Sequence, residues 1–287
     1  MYYQKPKHPF GGFSKYYLAT ATFLVVALWI SSLFSANWQN YVYETKNMGY
    51  ISFNLSLRGF TIKSRCNRTN YMWSPAMDQY SRNNGSKNFI SPISLEEFVC
   101  SRFNYFNGKT FGEASAAVCS IDKYQFPNAQ NACYNFRMLN IGSLTMIAGI
   151  IGCLVCVIFG FITFILSYKN LSIPLTYAYT TLFGCSNLIA MITLPIYYVN
   201  AGGSWIAINS FFSLVHFGYP QFTFKSPSVS DIQFFWGYSL AILAFLTSIL
   251  LPLFGCYFAS IASAYNEQLD KESKEYQKFI QKYNNIY

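Results

Sequence analysis

Apolar residues run without interruption by charge through four long stretches: Tyr17–Ala36, Ile141–Ser167, Pro174–Val199 and Phe234–Ile261. At 1.5 Å per helical residue, each run is long enough to cross a hydrocarbon core of roughly 30 Å. The pattern predicts four membrane-spanning helices at 17–36, 141–167, 174–199 and 233–262. Around them lie an inner amino-terminal segment (1–16), a large outer loop (37–140), a second outer loop (200–232) and an inner helical tail (263–287).

Within the first loop the period shortens. Ile51, Phe53, Leu55 and Leu57 alternate with Ser52, Asn54, Ser56 and Arg58, which predicts a strand with one buried and one wet face. After Gly59 the apolar positions become Phe60 and Ile62, so the phase flips and a bulge or tight bend at Gly59 is expected. Trp38–Glu44 is expected to pair beside this strand, and Phe222 with Phe224 to form an edge strand next to it. Ser94–Glu97 and Thr110–Glu113 read as capping boxes that open short helices reaching Cys100 and Cys119. Pro127 suits the first turn of a helix that continues through Cys133 into span two as one rod. The expected fold class is therefore an all-α membrane protein, a bundle of four transmembrane helices. Its large disulfide-stapled first outer loop holds a small antiparallel β-sheet and short helices.

Composition agrees: charged residues are 11% of the chain and hydrophobic ones 53%, where soluble domains carry about 25% charged residues. The Lys and Arg behind the net charge of +9 are scattered, which fits membrane surfaces and does not argue for a nucleic-acid patch. Lys5, Lys7 and Lys15 place the amino terminus inside, and Lys271, Lys274, Lys278 and Lys282 place the tail there too. The first run exceeds a signal-peptide core, and Phe34 occupies the small-residue position before a cut at Ala36, so it reads as an anchor. Trp38 is expected to sit as an interfacial ring just beyond it.

Cys66, Cys100, Cys119 and Cys133 all fall in the first outer loop, while Cys153, Cys156, Cys185 and Cys256 fall in the spans. Two loop disulfides in an oxidising compartment are expected, with three connectivities open. Sequons at Asn54, Asn67 and Asn84 would suit a lumenal loop. Small residues at Ala148, Gly152, Cys156 and Gly160, and again at Gly255 and Ala259, are expected to form helix-packing faces. Cys153 and Cys156 have the spacing of a redox pair, but no charged group lies nearby to stabilise a thiolate, so packing cysteines are expected. Asn187 is expected to bond another helix or line a pathway. In the tail, Leu269, Tyr276 and Tyr283 recur every seven residues, with Phe279 and Ile280 between them. That suits either a seam for a partner helix or an amphipathic tail lying on a membrane.

Reactive chemistry does not stand out. No span holds a charged residue, the histidines are His8 and His216, and Glu96, Glu97, Glu113 and Asp122 have no nucleophile or base to work with. No catalytic residue, metal site or cofactor is expected, and pumps and proton-coupled transporters are disfavoured. The layout resembles the claudin-like tetraspan superfamily of claudins, peripheral myelin protein and glutamate-receptor auxiliary subunits. The resembling features are both tails inside, Trp38 beyond span one, strand-forming sequence with cysteines in a large first loop, and a second loop without cysteine. The chain departs from that family in its four loop cysteines and in having Gly49-Tyr50 as the nearest echo of the family's tryptophan motif. The resemblance implies a bundle topped by an antiparallel sheet and a role in adhesion or as an auxiliary subunit. Its partners would be membrane lipids and other integral membrane proteins, including a large complex, in the plasma membrane or secretory pathway. Two alternatives stay open: an accessory subunit of a mitochondrial inner-membrane respiratory complex, and a membrane thiol oxidoreductase using Cys153 and Cys156.

Overall fold

A computed structural model of the chain describes residues 12–45, 49–64, 104–120, 127–170, 172–216, 233–234 and 236–284. Cys66, Cys100, Asn67, Asn84, Ser94–Glu97, Phe222 and Phe224 lie outside the described residues. Among the described residues, four helical stretches are long and apolar enough to cross a membrane: Tyr16–Phe34, Gln130–Tyr168, Ile173–Asn200 and Trp236–Lys278. They belong to α1 (Gly12–Phe34), α3 (Pro127–Asn170), α4 (Ile173–His216), and α5 (Trp236–Ser248) with α6 (Leu250–Asn284).

Local chemistry explains most of these boundaries. The short helix α2 (Phe111–Cys119) opens on a complete capping box, in which the Thr110 side chain accepts from the Glu113 backbone N–H and the Glu113 side chain accepts from the Thr110 N–H. Helix α3 starts at Pro127, whose missing N–H is no loss in a first turn. It then runs unbroken for 44 residues and carries Cys133 and span two on one rod. Helix α4 differs from expectation: it continues beyond Val199 to His216, so the segment expected as an outer loop begins as helix. Gly202 and Gly203 each weaken a helix by only about 1 kcal/mol relative to alanine, and no proline follows until Pro220. The fourth span also starts later than expected, because Gln233–Phe234 is a strand (β4) and the helix begins at Trp236. It is interrupted at Ile249, three residues before Pro252. Proline offers no N–H to the carbonyl four residues back, here that of Ser248, and its ring crowds that carbonyl.

Strands β1 (Gln39–Thr45), β2 (Gly49–Leu55) and β3 (Phe60–Ser64) form an antiparallel sheet with β4 in the order β3-β2-β1-β4. The phase flip at Gly59 is a hairpin reversal: Leu55 pairs with Phe60, and the turn closes through Ser56 N–H to the Gly59 carbonyl at 2.8 Å. It is the tight bend and not a bulge. Glycine is required there because a Cβ would collide with the Lys109 carbonyl. Phe53, Leu55, Phe60 and Ile62 are buried on one face, while Asn54, Thr61 and Lys63 take the other. Both sides of β2 are filled, by β1 and β3. The added edge strand is β4, which pairs with Gln39 and Asn40 of β1.

The chain divides into two compact units. One comprises Ile30–Ile150 and Ile192–Ile242 and contains the sheet; the other comprises Met1–Trp29, Ile151–Met191 and Leu243–Tyr287. In each unit, contact positions fall along α4 as they rise along α3, so the two helices are antiparallel. In the sheet-bearing unit the close positions are Gly142 with Asn200 and Gly149 with Thr193; in the other they are Gly152 with Ile189 and Gly160 with Phe183.

Candidate functional site

In the sheet-bearing unit, Trp38 ends the link from α1 to β1 and is 0% exposed. Its Nε1–H donates to the Ser32 carbonyl at 2.9 Å, and its ring meets Tyr197 edge-on at 5.0 Å and Tyr238 at 6.1 Å. The ring also lies so close to Gly237 that a Cβ there would overlap it, and the Gly237 carbonyl accepts from the Ser32 hydroxyl at 2.8 Å. The interfacial anchor expected of Trp38 is thus replaced by a buried post. An indole whose N–H already has a backbone partner gains more from full burial between tyrosine rings than from half-exposure.

The buried face of the sheet meets a second aromatic group. Phe60 lies 6.4 Å from Phe106, 5.9 Å from Phe111 and 6.5 Å from Phe136 of α3. The outer edge of β3 is closed by the chain at 107–110: Asn107 Oδ1 accepts from the Ile62 N–H at 2.8 Å, and Gly108 N–H donates to the Phe60 carbonyl at 3.1 Å. Gly108 permits this turn with φ of 78°. A disulfide between Cys119 at the end of α2 and Cys133 in α3 ties the two helices together. Closing a loop of 14 residues contributes about 3 kcal/mol in the chain-entropy account. The Glu113 carboxyl has a lowered pKa, because the Thr110 backbone N–H and hydroxyl both bond its carboxylate. Its task is capping.

In the other unit the polar side chains of the apolar helices bond one another. Asn187 Nδ2–H donates to the Ser248 carbonyl at 3.2 Å, and the Ser248 hydroxyl donates to Asn187 Oδ1. The carbonyl that Pro252 leaves without a helical donor is therefore satisfied by Asn187. Of the two roles expected for Asn187, the structure supplies the interhelical bond. Cys153 is buried and donates to the Ser186 carbonyl at 3.3 Å, while the Ser186 hydroxyl donates to the Cys153 carbonyl at 3.4 Å. Cys156, Cys185 and Cys256 are free thiols.

The expected packing residues divide. Gly160 is buried against the Phe183 ring, where a Cβ would come within 2.6 Å, and Gly152 lies beside Ile189. Gly255 is buried against Thr180 and Tyr179, whose hydroxyl donates to the Gly255 carbonyl at 3.3 Å, and Ala259 is also buried. Cys156 is half-buried, and Ala148 is exposed. The ladder of four-residue steps fails as a single face because each such step advances about 40° around a helix. Close approaches along α3 fall at Gly142, Gly149 and Gly160; the spacing of small residues in fours includes Gly160 and passes over Gly142 and Gly149. Asn54, of the three outer-loop sequons the one within the described residues, is half-exposed on the polar face of β2, and Ser56 two residues on donates its hydroxyl to the Gly59 carbonyl.

Trp38 with Tyr197 and Tyr238, and Phe60 with Phe106, Phe111 and Phe136, were not legible as clusters, since their members lie on separate elements. Among the described residues no group of three or more His, Cys, Asp or Glu side chains could hold a metal ion. Comparison with protein-family models and with curated proteins finds no match for the chain.

Proposed function

We propose that the chain is a four-span integral membrane protein with both tails on the inner side, and that it acts without catalysis as a structural, adhesion or auxiliary subunit. The observation that carries this reading is the polarity of the helix surfaces. Large apolar side chains point outward on every long helix, among them Phe23, Phe159, Leu188 and Leu253, with Phe23 76% exposed. The hydroxyls on the same surfaces turn back onto their own helix: Thr20 to the Tyr16 carbonyl, Thr181 to Tyr177 and Thr247 to Leu243. Lipid demands an internal partner for each hydroxyl, and these bonds supply one.

The partner-binding role rests on what the outer residues offer. A closed hairpin edge, a disulfide and two buried aromatic clusters make a rigid scaffold, and binding residues are commonly carried on loops held by such a scaffold. The claudin-like likeness in layout points the same way. Cys153 is buried and held by the Ser186 backbone carbonyl, which favours this reading over a thiol oxidoreductase.

Deletion of residues 66–92 tests the role. Membrane insertion should be intact, shown by carbonate-resistant sedimentation, and partners co-purified from native membranes should be lost. Unchanged co-purification from correctly inserted protein would overturn the outer-loop role. A mobility shift on glycosidase treatment would support the secretory location, and co-migration with a respiratory assembly would replace it with the mitochondrial one.

A further inference from the structure

The tail suits two occupants by sequence, a partner helix or a membrane surface, and α6 separates them. It runs unbroken from Leu250 to Asn284, and beyond Gly255 it contains neither glycine nor proline. The part beyond Ala262 is roughly 33 Å long at 1.5 Å per residue. A helix that leaves a bilayer through its end and has no break stays clear of the surface it left. The charge agrees: from residue 263 onward Glu267, Asp270, Glu272 and Glu275 balance Lys271, Lys274, Lys278 and Lys282, in a chain that is otherwise strongly basic. Lys271 is paired with Glu267 at 3.1 Å and Lys274 with Asp270 at 2.7 Å. A helix that lies on anionic lipid carries net basic charge; this tail is neutral, and the charges nearest its apolar stripe are the acids Glu272 and Glu275. Yet Tyr276 is 61% and Ile280 40% exposed on the same helix.

We propose that this stripe is the seam of a parallel two-stranded coiled coil formed with the tail of a second copy. The proposal rests on the four-span topology above. A second copy inserted the same way presents an identical helix from the same membrane face, parallel and at the same height. Leu269 then meets Leu269, Tyr276 meets Tyr276 and Tyr283 meets Tyr283, the in-register pairing that a parallel coiled coil requires at its first core position. A neutral tail meets its twin without net repulsion. Phe279 falls at the other core position, as does Glu272, where two carboxylates oppose each other and weaken the pair.

The test uses the full chain in lipid vesicles under mild oxidation, with the unsubstituted chain setting the background from its native cysteines. Tyr276→Cys should give reductant-sensitive dimers several-fold above Lys274→Cys, which lies on the opposite face of the helix. Glu272→Leu should raise the dimer fraction counted by single-molecule photobleaching. Equal cross-linking at the two positions, or a dimer fraction indifferent to Glu272→Leu, would overturn the proposal. So would a blue shift of a fluorophore on Tyr276→Cys that depends on phosphatidylserine in the vesicle. Impermeant labelling of Lys274→Cys from each side checks the topology separately, and co-purification through the outer loop is expected to be unaffected.

Discussion

A single asparagine shows how polar residues are managed here. Asn187 sits in a long apolar helix with no charged neighbour in its span, and Pro252 on another helix strands the Ser248 carbonyl. The two deficits cancel, since each supplies the partner the other lacks. Interhelical hydrogen bonds in membrane proteins contribute about 0.6 kcal/mol on average, with the largest near 1.7. Asn187→Leu removes the donor and leaves the Ser248 carbonyl buried, so a loss of roughly 1–2 kcal/mol is expected, toward the upper end of that range. Thermal unfolding of the detergent-solubilised protein checks this, and a Tm equal to that of the parent would refute the role. Trp38 illustrates the reverse case, because its tryptophan after span one suggested an interfacial ring and the tertiary packing enclosed it.

For elements, the informative comparison is between neighbouring small residues of α3. Gly160 touches the Phe183 ring and Gly149 lies against Thr193, whereas Ala148 is exposed. Gly160→Leu should force the helices apart and destabilise by about 1–3 kcal/mol, as overpacking does in close-packed interiors. Ala148→Leu should be within about 0.5 kcal/mol of neutral, as for other surface changes. Chemical or thermal unfolding in the same detergent ranks the two, and equal effects would sink the assignment of faces. The existence of these helices was legible, because a long uncharged apolar run has few other solutions. So were the α2 cap at Thr110 and Glu113 and the start of α3 at Pro127, since each depends on residues within one helical turn. The extension of α4 to His216 was less so: an outer loop was expected from residue 200, but the paired glycines at 202 and 203 only weaken a helix.

At the scale of the whole molecule, the proposed topology makes a directional prediction. Lys109→Cys, in the turn beside the sheet, and Lys271→Cys, in the tail, should react with an impermeant thiol reagent from opposite sides of sealed vesicles. Labelling of both from one side would refute the four-span arrangement while leaving the described helices as they are. The same experiment orients the Cys119–Cys133 disulfide, which is expected on the side of Lys109, where an oxidising compartment would maintain it.

Sequence alone determined the kinds of element in this protein. Span length, strand alternation, caps and proline positions follow from interactions within a few residues of one another, and those are written in order along the chain. Tertiary structure decided which surfaces those elements hide. Gly149 is enclosed and Ala148 is not, Trp38 is a post and not an anchor, and Asn187 answers a carbonyl sixty-one residues away. The reason is physical: all faces of an apolar helix in lipid look alike in sequence, since lipid and protein interior are similarly apolar. Which face closes on a neighbour depends on shape at the point of contact, and that exists only once the helices have met.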